Sequence, residues 1–448
     1  MKIKVTKYSI DRNRRPKNDI RLNIGISIDV SVGKKLHTSA TIQLNPIAYL
    51  AGKAPDLSFD MLYLSAIVYA IDRAVDRGLY SIDGWSREFD VDIVLPHYDQ
   101  FLPLEGDINT MLSFLTGDYW TCHFIGDENV NYPKYKECNF FEGITQVNLF
   151  SGGMDSLIGA IDYMTNHPEG KLFLASHYDS YMPGPQADQN ELKKLFSSKY
   201  KNQFCALPAV MITPEQSNEL SCRSRSMMFL SIALIVASYA KCDVIVPENG
   251  SVSLNYPLSP SRRASCSTRT THPVFLNQFR EIIKALGITV GISNPYEKLT
   301  KGEMVQNCAD KDYLIRIVVE SNSCGKRGMH QYMYDNHNAS HCGHCMPCMY
   351  RKAAMIGEVD STSYGNRFIT LFNKKGAKVA EDFFAMLEFL KKDLTREQIK
   401  RELQIGGMGR FDDLDDYVDL VDRTRKELSA MIIEDNNSTI LRYMNWRK

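Results

Sequence analysis

From about residue 146 to 250 the chain alternates short apolar runs with segments of helical period: QVNLF, SLIGAIDYM, KLFLASH, NELKKLFSSKY, FCALPAVMI, SRSMMFLSIALIVASYA and CDVIVPENG. No other feature narrows the fold as far. Runs that short and that rich in β-branched and aromatic residues read as strands, and the segments between them read as amphipathic helices. Strands joined through helices lie parallel, and a parallel sheet buries both of its faces. The stretch therefore predicts an α/β fold, a parallel sheet with helices on both faces. A polar segment bearing Pro and Arg, 250–272, interrupts it, and a Cys/His-rich stretch closes it near 352.

The flanks read differently. Residues 1–143 alternate apolar and polar positions in RLNIGISIDVSV and HTSATIQL, pass through the helical DMLYLSAIVYAIDRAVDRG, and return to strand patterns in EFDVDIVLP and WTCHFIGD. They predict an N-terminal α+β domain, followed by a central domain over 146–352. Residues 360–448 read as a helical extension in which Val379, Phe383, Met386, Leu387 and Leu390 share one face, as core packing or a partner surface requires. A chain of 448 residues accommodates two or three such domains. Its 53 basic and 53 acidic residues balance, which argues against a nucleic-acid partner. The opening MKIKVTKYSIDRNRRPK is charged without an apolar core, and no apolar run reaches spanning length. A cytoplasmic location with no membrane partner is the expectation.

The first strand-to-helix junction is NLFSGGMDSLIG, residues 148–159. Strand, glycine turn and helix in that order turn backbone N–H groups and the positive end of the helix dipole toward an anion. Gly152 and Gly153 let backbone approach phosphate oxygens with no Cβ between, and Ser151 and Ser156 add hydroxyls. Asp155 is placed to hold Mg2+ between phosphates. The bland alternative is a βα corner with a serine cap. No G-x-x-x-x-G-K-[ST] occurs, and no G-x-G-x-x-G follows a predicted strand, which excludes a Walker-type loop and argues against NAD or FAD.

Of eleven cysteines, Cys342, Cys345 and Cys348 stand in C-x-x-C-x-x-C spacing with Cys324 upstream. In a large intracellular chain such spacing points to a metal, and four thiolates suit tetrahedral Zn2+. His330, His337, His341 and His344 compete with Cys324 for the fourth position. An iron–sulfur cluster also fits the run, although the Pro that follows the last cysteine of the ferredoxin pattern is missing.

Ser151-Gly152-Gly153-Met154-Asp155-Ser156 resembles the PP-loop of the N-type ATP pyrophosphatases, enzymes of the adenine nucleotide alpha hydrolase-like fold. The resemblance implies that these six residues grip the pyrophosphate portion of ATP, which is cleaved between its α and β phosphates. Together with the cysteine knuckle, Arg351 after it and the stretch NPYEKLTKGEM at 294–304, the loop is similar to the 7-cyano-7-deazaguanine synthase (QueC) family over about 146–352. The match is closer to the larger QueC-like proteins of bacterial anti-phage operons, the group that includes QatC of the Qat system and the QueC-like partners of CBASS operons. They share an extra N-terminal domain, a helical tail, and segments like Glu248-Asn249-Gly250 and Arg269-Thr270-Thr271-His272-Pro273.

Charge on an α-phosphate in the transition state calls for fixed cations. Lys301 and Arg269 are expected to act with Asp155 in catalysis, and Arg223, its neighbour Arg225 and His177 to lie near ATP, with Asp179 beside His177. Glu248 and Asn249, an acid and an amide at a strand end, suit the edge of a purine-like base, with His272 as a further substrate contact. Each has a plain alternative: a solvated charge, an ordinary turn, a structural histidine. The family implies ATP, Mg2+ and Zn2+, and adenylation of the carboxylate of 7-carboxy-7-deazaguanine. Ammonia then gives amide and nitrile, or an amine of a partner protein from the same defence operon takes the deazaguanine. Two other readings stay open: an idle nucleotide- or deazaguanine-binding scaffold, and a PP-loop RNA sulfur transferase, which the balanced charge weakens.

Overall fold

The computed structural model describes residues 1–448 other than 14–18, 32–33, 46, 127–131, 133–138, 182–183, 206, 220, 259–268 and 447–448. Part of the polar interruption read at 250–272 thus lies outside the described residues. The chain forms two compact units, each gathered from separated stretches: 1–151, 167–246 and 265–294 in the first, 152–166, 247–264 and 295–448 in the second. The three regions read along the sequence describe chain order, whereas the two units describe contact.

The first unit is α/β and holds two sheets. Strands β1 (Lys2–Asn13), β2 (Asp19–Ser31), β3 (Lys34–Gln43), β4 (Glu88–Val94) and β5 (Tyr119–Ile125) come from the N-terminal region, followed by β6 (Gln146–Leu149), β7 (Leu172–Ala175), β8 (His177–Tyr178), β9 (Phe204–Cys205), β10 (Val210–Pro214), β11 (Val244–Ile245) and β12 (Ile292–Ser293). A mixed sheet runs β5-β4-β1-β2-β3-β10-β8, and a parallel sheet runs β12-β11-β6-β7-β9. In β2, Leu22, Ile24, Ile26 and Ile28 alternate with polar residues and are buried, so one face of the mixed sheet is core. The helix Asp56–Ala74 packs on that sheet, and the helix Arg225–Ala240 packs on the helix Asp56–Ala74 and on β6, β7 and β11. These layers share one hydrophobic core.

Two details depart from the expected strand and helix pattern. FCALPAVMI is not one strand: Phe204–Cys205 joins the parallel sheet and Val210–Pro214 pairs with β3 in the mixed sheet. Pro208, which cannot donate to a ladder, stands at the break. The helix Arg225–Ala240 is not amphipathic, since Ser226 to Ala237 are all buried, as befits a helix with core on every side. Its start is tied by Ser224, whose N–H and hydroxyl donate to Asp72 Oδ2 at 3.2 and 2.7 Å. Asp72 and Asp118 are fully buried around Arg87, at 2.6 and 2.7 Å.

The second unit is mainly helical. It contains Met154–Asn166, Gly250–Leu254, Lys301–Gln306, Lys311–Ile317, Met346–Ala354, Glu381–Lys391, Arg396–Leu403 and Leu414–Asp435. The face predicted from Val379, Phe383, Met386, Leu387 and Leu390 is buried throughout. Leu414–Asp435 packs against Met346–Ala354, Arg396–Leu403 and Gly250–Leu254. No helix among the described residues is long and apolar enough to cross a membrane.

Candidate active site and metal centre

Strand β6 ends at Leu149 and the next helix begins at Met154, so the Ser-Gly-Gly turn is a strand-to-helix junction as the pattern required. Gly152 adopts φ +89°, a left-handed conformation that glycine takes at no steric cost. Ser151, the last residue of its stretch in the first unit, is exposed, while Gly152, Met154 and Ser156 are buried and Gly153 half-buried. Within the second unit the turn is held from outside its own sequence. Gly152 O accepts from Asn322 N at 2.9 Å, and Met154 N donates to Ser323 Oγ at 3.2 Å. The Ser156 hydroxyl folds back onto Gly153 O at 3.0 Å.

Asp155, in the first turn of the helix where an acid is favoured, is the centre of a buried cluster in the second unit. Lys301 Nζ lies 2.5 Å from its Oδ1, with side-chain exposures of 5 % and 7 %. Asn249 Nδ2 donates to Oδ2 at 2.7 Å, and Asn249 N approaches the same oxygen at 3.4 Å. Burial opposes the charge on Asp155, but the Lys301 ammonium and the hydrogen bonds from Glu248, Lys301 and Asn249 outweigh it and hold the carboxyl below its usual range. Glu248 moves the other way: burial, then the neighbouring Asp155 charge, push its carboxyl well above normal. The shared hydrogen bond favours the proton on Glu248 and the charge on Asp155, which faces Lys301. The structure thus joins four of the sequence candidates, Asp155, Glu248, Asn249 and Lys301, in one constellation.

Local structure explains the delivery of each group. Asn249 caps the short helix Gly250–Leu254, its side chain accepting from Val252 N. A Cβ on Gly250 would stand 2.2 Å from Glu297 O, so the turn after Asn249 admits only glycine without rearrangement. Lys301 is the first residue of its helix, behind a capping box in which Thr300 and Glu303 satisfy each other's backbone.

The four cysteines converge in the same unit. The sulfurs of Cys324, Cys342, Cys345 and Cys348 all lie within 4.8 Å of one another. Pairs at 3.4 Å (Cys345–Cys348) and 3.8 Å (Cys342–Cys348) lie close to the roughly 3.8 Å expected between sulfurs about 2.3 Å from one tetrahedral ion. Backbone N–H groups of Cys342, His344 and Cys345 point at Cys324 or Cys342 sulfur at 3.4 Å, as suits thiolate acceptors. Such a set can hold a metal ion such as zinc. Cys324 is the fourth member; His344 is instead turned to Asn366 Nδ2 at 3.0 Å, His341 to the Ser340 hydroxyl at 3.0 Å, and His330 to His337 O at 2.8 Å. Cys324 directly follows Asn322 and Ser323, so the cluster and the glycine turn share one strap of chain. Arg351 is buried and fixes that strap, donating to Ser321 O at 3.2 Å and Val318 O at 2.7 Å.

The remaining candidates lie in the first unit. His177 is fully buried with both ring nitrogens engaged, Nε2 on Ile212 O at 3.2 Å and Nδ1 facing Arg225 Nε at 3.5 Å. Burial and the Arg225 charge push its pKa well below normal, so it is neutral. Asp179 accepts from Tyr69 at 2.7 Å. Arg223 lies over Trp85 and donates to Thr116 O at 3.2 Å. Arg269 lies 4.1 Å over the Phe114 ring, and His272, N-cap of the helix Pro273–Ala285, packs edge-on to that ring. Burial, then Arg269, push His272 down to about 3. Sequence reasoning missed Gln189, which donates to Ser151 O and His177 O, and the Asn322–Ser323 strap. Asn and Ser before a cysteine carry no pattern that would have found the strap.

Comparison of the chain with protein-family models, with curated proteins and with solved structures finds no match in any of the three.

Proposed function

We propose that the protein is an ATP-dependent, AMP-forming enzyme of the QueC-like PP-loop kind, acting on the carboxylate of a 7-deazaguanine in bacterial anti-phage defence. The observation that carries the reading is the buried Asp155–Lys301 pair at the start of the helix that follows a glycine turn, with Asn249 and Glu248 completing the shell. The parallel order β12-β11-β6-β7-β9, with that turn after β6, supports the PP-loop fold.

In this reading a substrate carboxylate oxygen attacks the α-phosphorus of ATP, the bond to the α,β-bridging oxygen breaks and pyrophosphate leaves. An amine, free or on a partner protein, then displaces AMP from the acyl carbon. Mg2+, when bound, supplies charge neutralisation between phosphates, and Asp155 is the residue that would hold it. Lys301 supplies a fixed cation in a buried environment, where it acts more strongly than in water. Asn249 orients the Asp155 carboxylate, and the hydrogen bond from Glu248 stabilises its charge. The cysteine set, with four thiolates and no open position, is structural in kind: a zinc ion there would hold the strap on the turn.

Incubation with ATP and 7-carboxy-7-deazaguanine should release AMP and pyrophosphate, and Asp155→Ala should abolish the release while the protein stays folded. Release of ADP and phosphate alone would refute the reaction class. Tight binding of ATP or the deazaguanine without turnover, in the presence of the neighbouring operon proteins, would replace it with the scaffold reading.

A further inference from the structure

The helix Leu414–Asp435 lies in the tail, far in sequence from every candidate site residue, yet its 420, 424 and 427 positions fall on one face at i, i+4 and i+7. That face meets both segments that converge on Asp155. Leu420 Cδ2 fills the space beside Gly250, standing 2.6 Å from where a Cβ would be. The Thr424 and Ser251 hydroxyls are 2.6 Å apart. Glu427 accepts from the Thr300 hydroxyl and from Gly302 N–H at 3.3 Å, gripping the residues on either side of Lys301. Gly302 makes room for it, since a Cβ there would stand 2.5 Å from Glu427 Oε1. One turn earlier, Arg423 Nε lies 2.8 Å from Glu303 Oε1 and Arg423 Nη2 donates to Lys298 O at 2.6 Å.

We propose that this tail helix is the positioning element of the candidate active site, and that Glu427 is the positioning residue for Lys301. The inference deepens the reading of Asp155 and Lys301 as site residues and rests on it. A lysine ammonium rides on four flexible methylenes and loses rotamer entropy when fixed. Its pairing inside a protein is favourable only in good geometry. The backbone at 300–302 must therefore be set before Nζ can sit 2.5 Å from Asp155 Oδ1. Glu427 does this through two hydrogen bonds without touching Asp155. Thr424 and Leu420 set the Asn249 side of the cluster from the same face, so one rigid helix fixes the spacing of two chain segments.

The test compares Glu427→Ala with Glu427→Gln in the full chain. Glutamine keeps an oxygen to accept from Gly302 N–H and an amide N–H to donate to the Thr300 hydroxyl, so it should hold the segment; alanine cannot. The first measurement is limited acylation of lysines, read by peptide mass spectrometry, and it needs no turnover. Lys301 should acylate roughly tenfold faster in Glu427→Ala, as a locally opened segment does. It should stay close to the wild-type rate in Glu427→Gln. Lys352, a second lysine of this unit, should not change in either variant. The second measurement is AMP formation: alanine should lower kcat by about tenfold or more with KM for ATP held within about twofold, and glutamine should restore most of it. Unchanged Lys301 acylation in Glu427→Ala, or an equal rise at Lys352, would overturn the positioning role. If the wild-type protein forms no AMP, the functional reading fails while the acylation result still decides the role of Glu427.

Discussion

Removal of Lys301 alone tests whether the cluster is what its geometry says. The pair is almost closed to water, with side-chain exposures of 5 % and 7 %, and its atoms lie 2.5 Å apart. Two unit charges near 4 Å attract by about 4 kcal/mol at the effective dielectric that describes protein sites, and breaking one partner out of a buried pair costs about 3–5 kcal/mol. Lys301→Met should destabilise the second unit by that amount at pH 7, because Asp155 keeps Asn249 and Glu248 but loses its counter-charge. Asp155→Asn should cost a similar amount by stranding the ammonium. The double variant contains neither charge, and its amide still accepts from Asn249, so it should cost less than the two singles together by about 2 kcal/mol or more. Urea unfolding, read by hydrogen exchange of peptides from the second unit with the m value held constant, measures all three. The coupling should also follow pH. A carboxyl held below its usual value contributes stability above the unfolded value of about 3.9 and loses it as pH falls through the lower folded value. Single variants that each cost under about 1 kcal/mol, or singles that add to the double within about 0.5 kcal/mol, would refute a shared buried charge.

Glu248 carries the opposite sign: its folded pKa is raised, so its contribution is full below an unfolded value of about 4.3 and is lost as pH rises toward the folded one. Glu248→Gln keeps a donor to Asp155 without a proton to lose, and its stability relative to wild type should improve as pH rises above about 4.3; parallel curves would show that no proton is held there. Metal analysis should find about one zinc per chain, lost in Cys345→Ser, with hydrogen exchange rising at Gly152–Met154 as the strap loosens. Full protection of that turn in the metal-free protein would disconnect the two. Gly250→Ala drives a Cβ against a backbone oxygen and should cost about 1–3 kcal/mol, more than Gly302→Ala, which meets the side-chain carboxylate of Glu427 rather than backbone; thermal melts giving the reverse order would contradict the packing.

How far the fold was legible follows from the range of the forces involved. Alternation in RLNIGISIDVSV is a local record of one buried face, and β2 lies where it predicts. The two-sheet arrangement left no such record: whether Val210–Pro214 pairs with β9's neighbours or with β3 depends on contacts across more than a hundred residues, and only Pro208 hinted at the break. The site divides in the same way. Asp155 was readable because strand, glycine turn and helix are contiguous, and the cysteines because ligand spacing is short-range. Lys301 and Glu248 drew attention through the resemblance, and their opposed charge behaviour emerges only from their shared burial. His177 stood at a strand end like a ligand, but its ring is held between Ile212 O and Arg225. Glu427 was silent, because on a charged helix a Glu four residues after Arg423 reads as a solvent-facing pair.

The buried pair accounts for the architecture around it. Three segments, near 155, 249 and 301, each bring one or two polar groups to the same spot, and none of them could keep a charge out of water alone. The glycine turn is fixed by the strap that ends in Cys324, the 249 turn by Leu420 and Thr424, and the 301 turn by Glu427. The cysteine strap and a helix from the tail thus reach one cluster through different contacts: the strap through the hydrogen bonds of Asn322 and Ser323 to the turn, the helix through packing and hydroxyls on the 249 and 301 segments. Interference with either should therefore reach Asp155 by a separate route. Loss of Cys345 should loosen Gly152–Met154 and leave Lys301 acylation slow, while loss of Glu427 should do the reverse. Variants that moved both readouts together would mean that the turn and the Lys301 segment respond as one body, and the two-sided account would give way to a single cooperative unit.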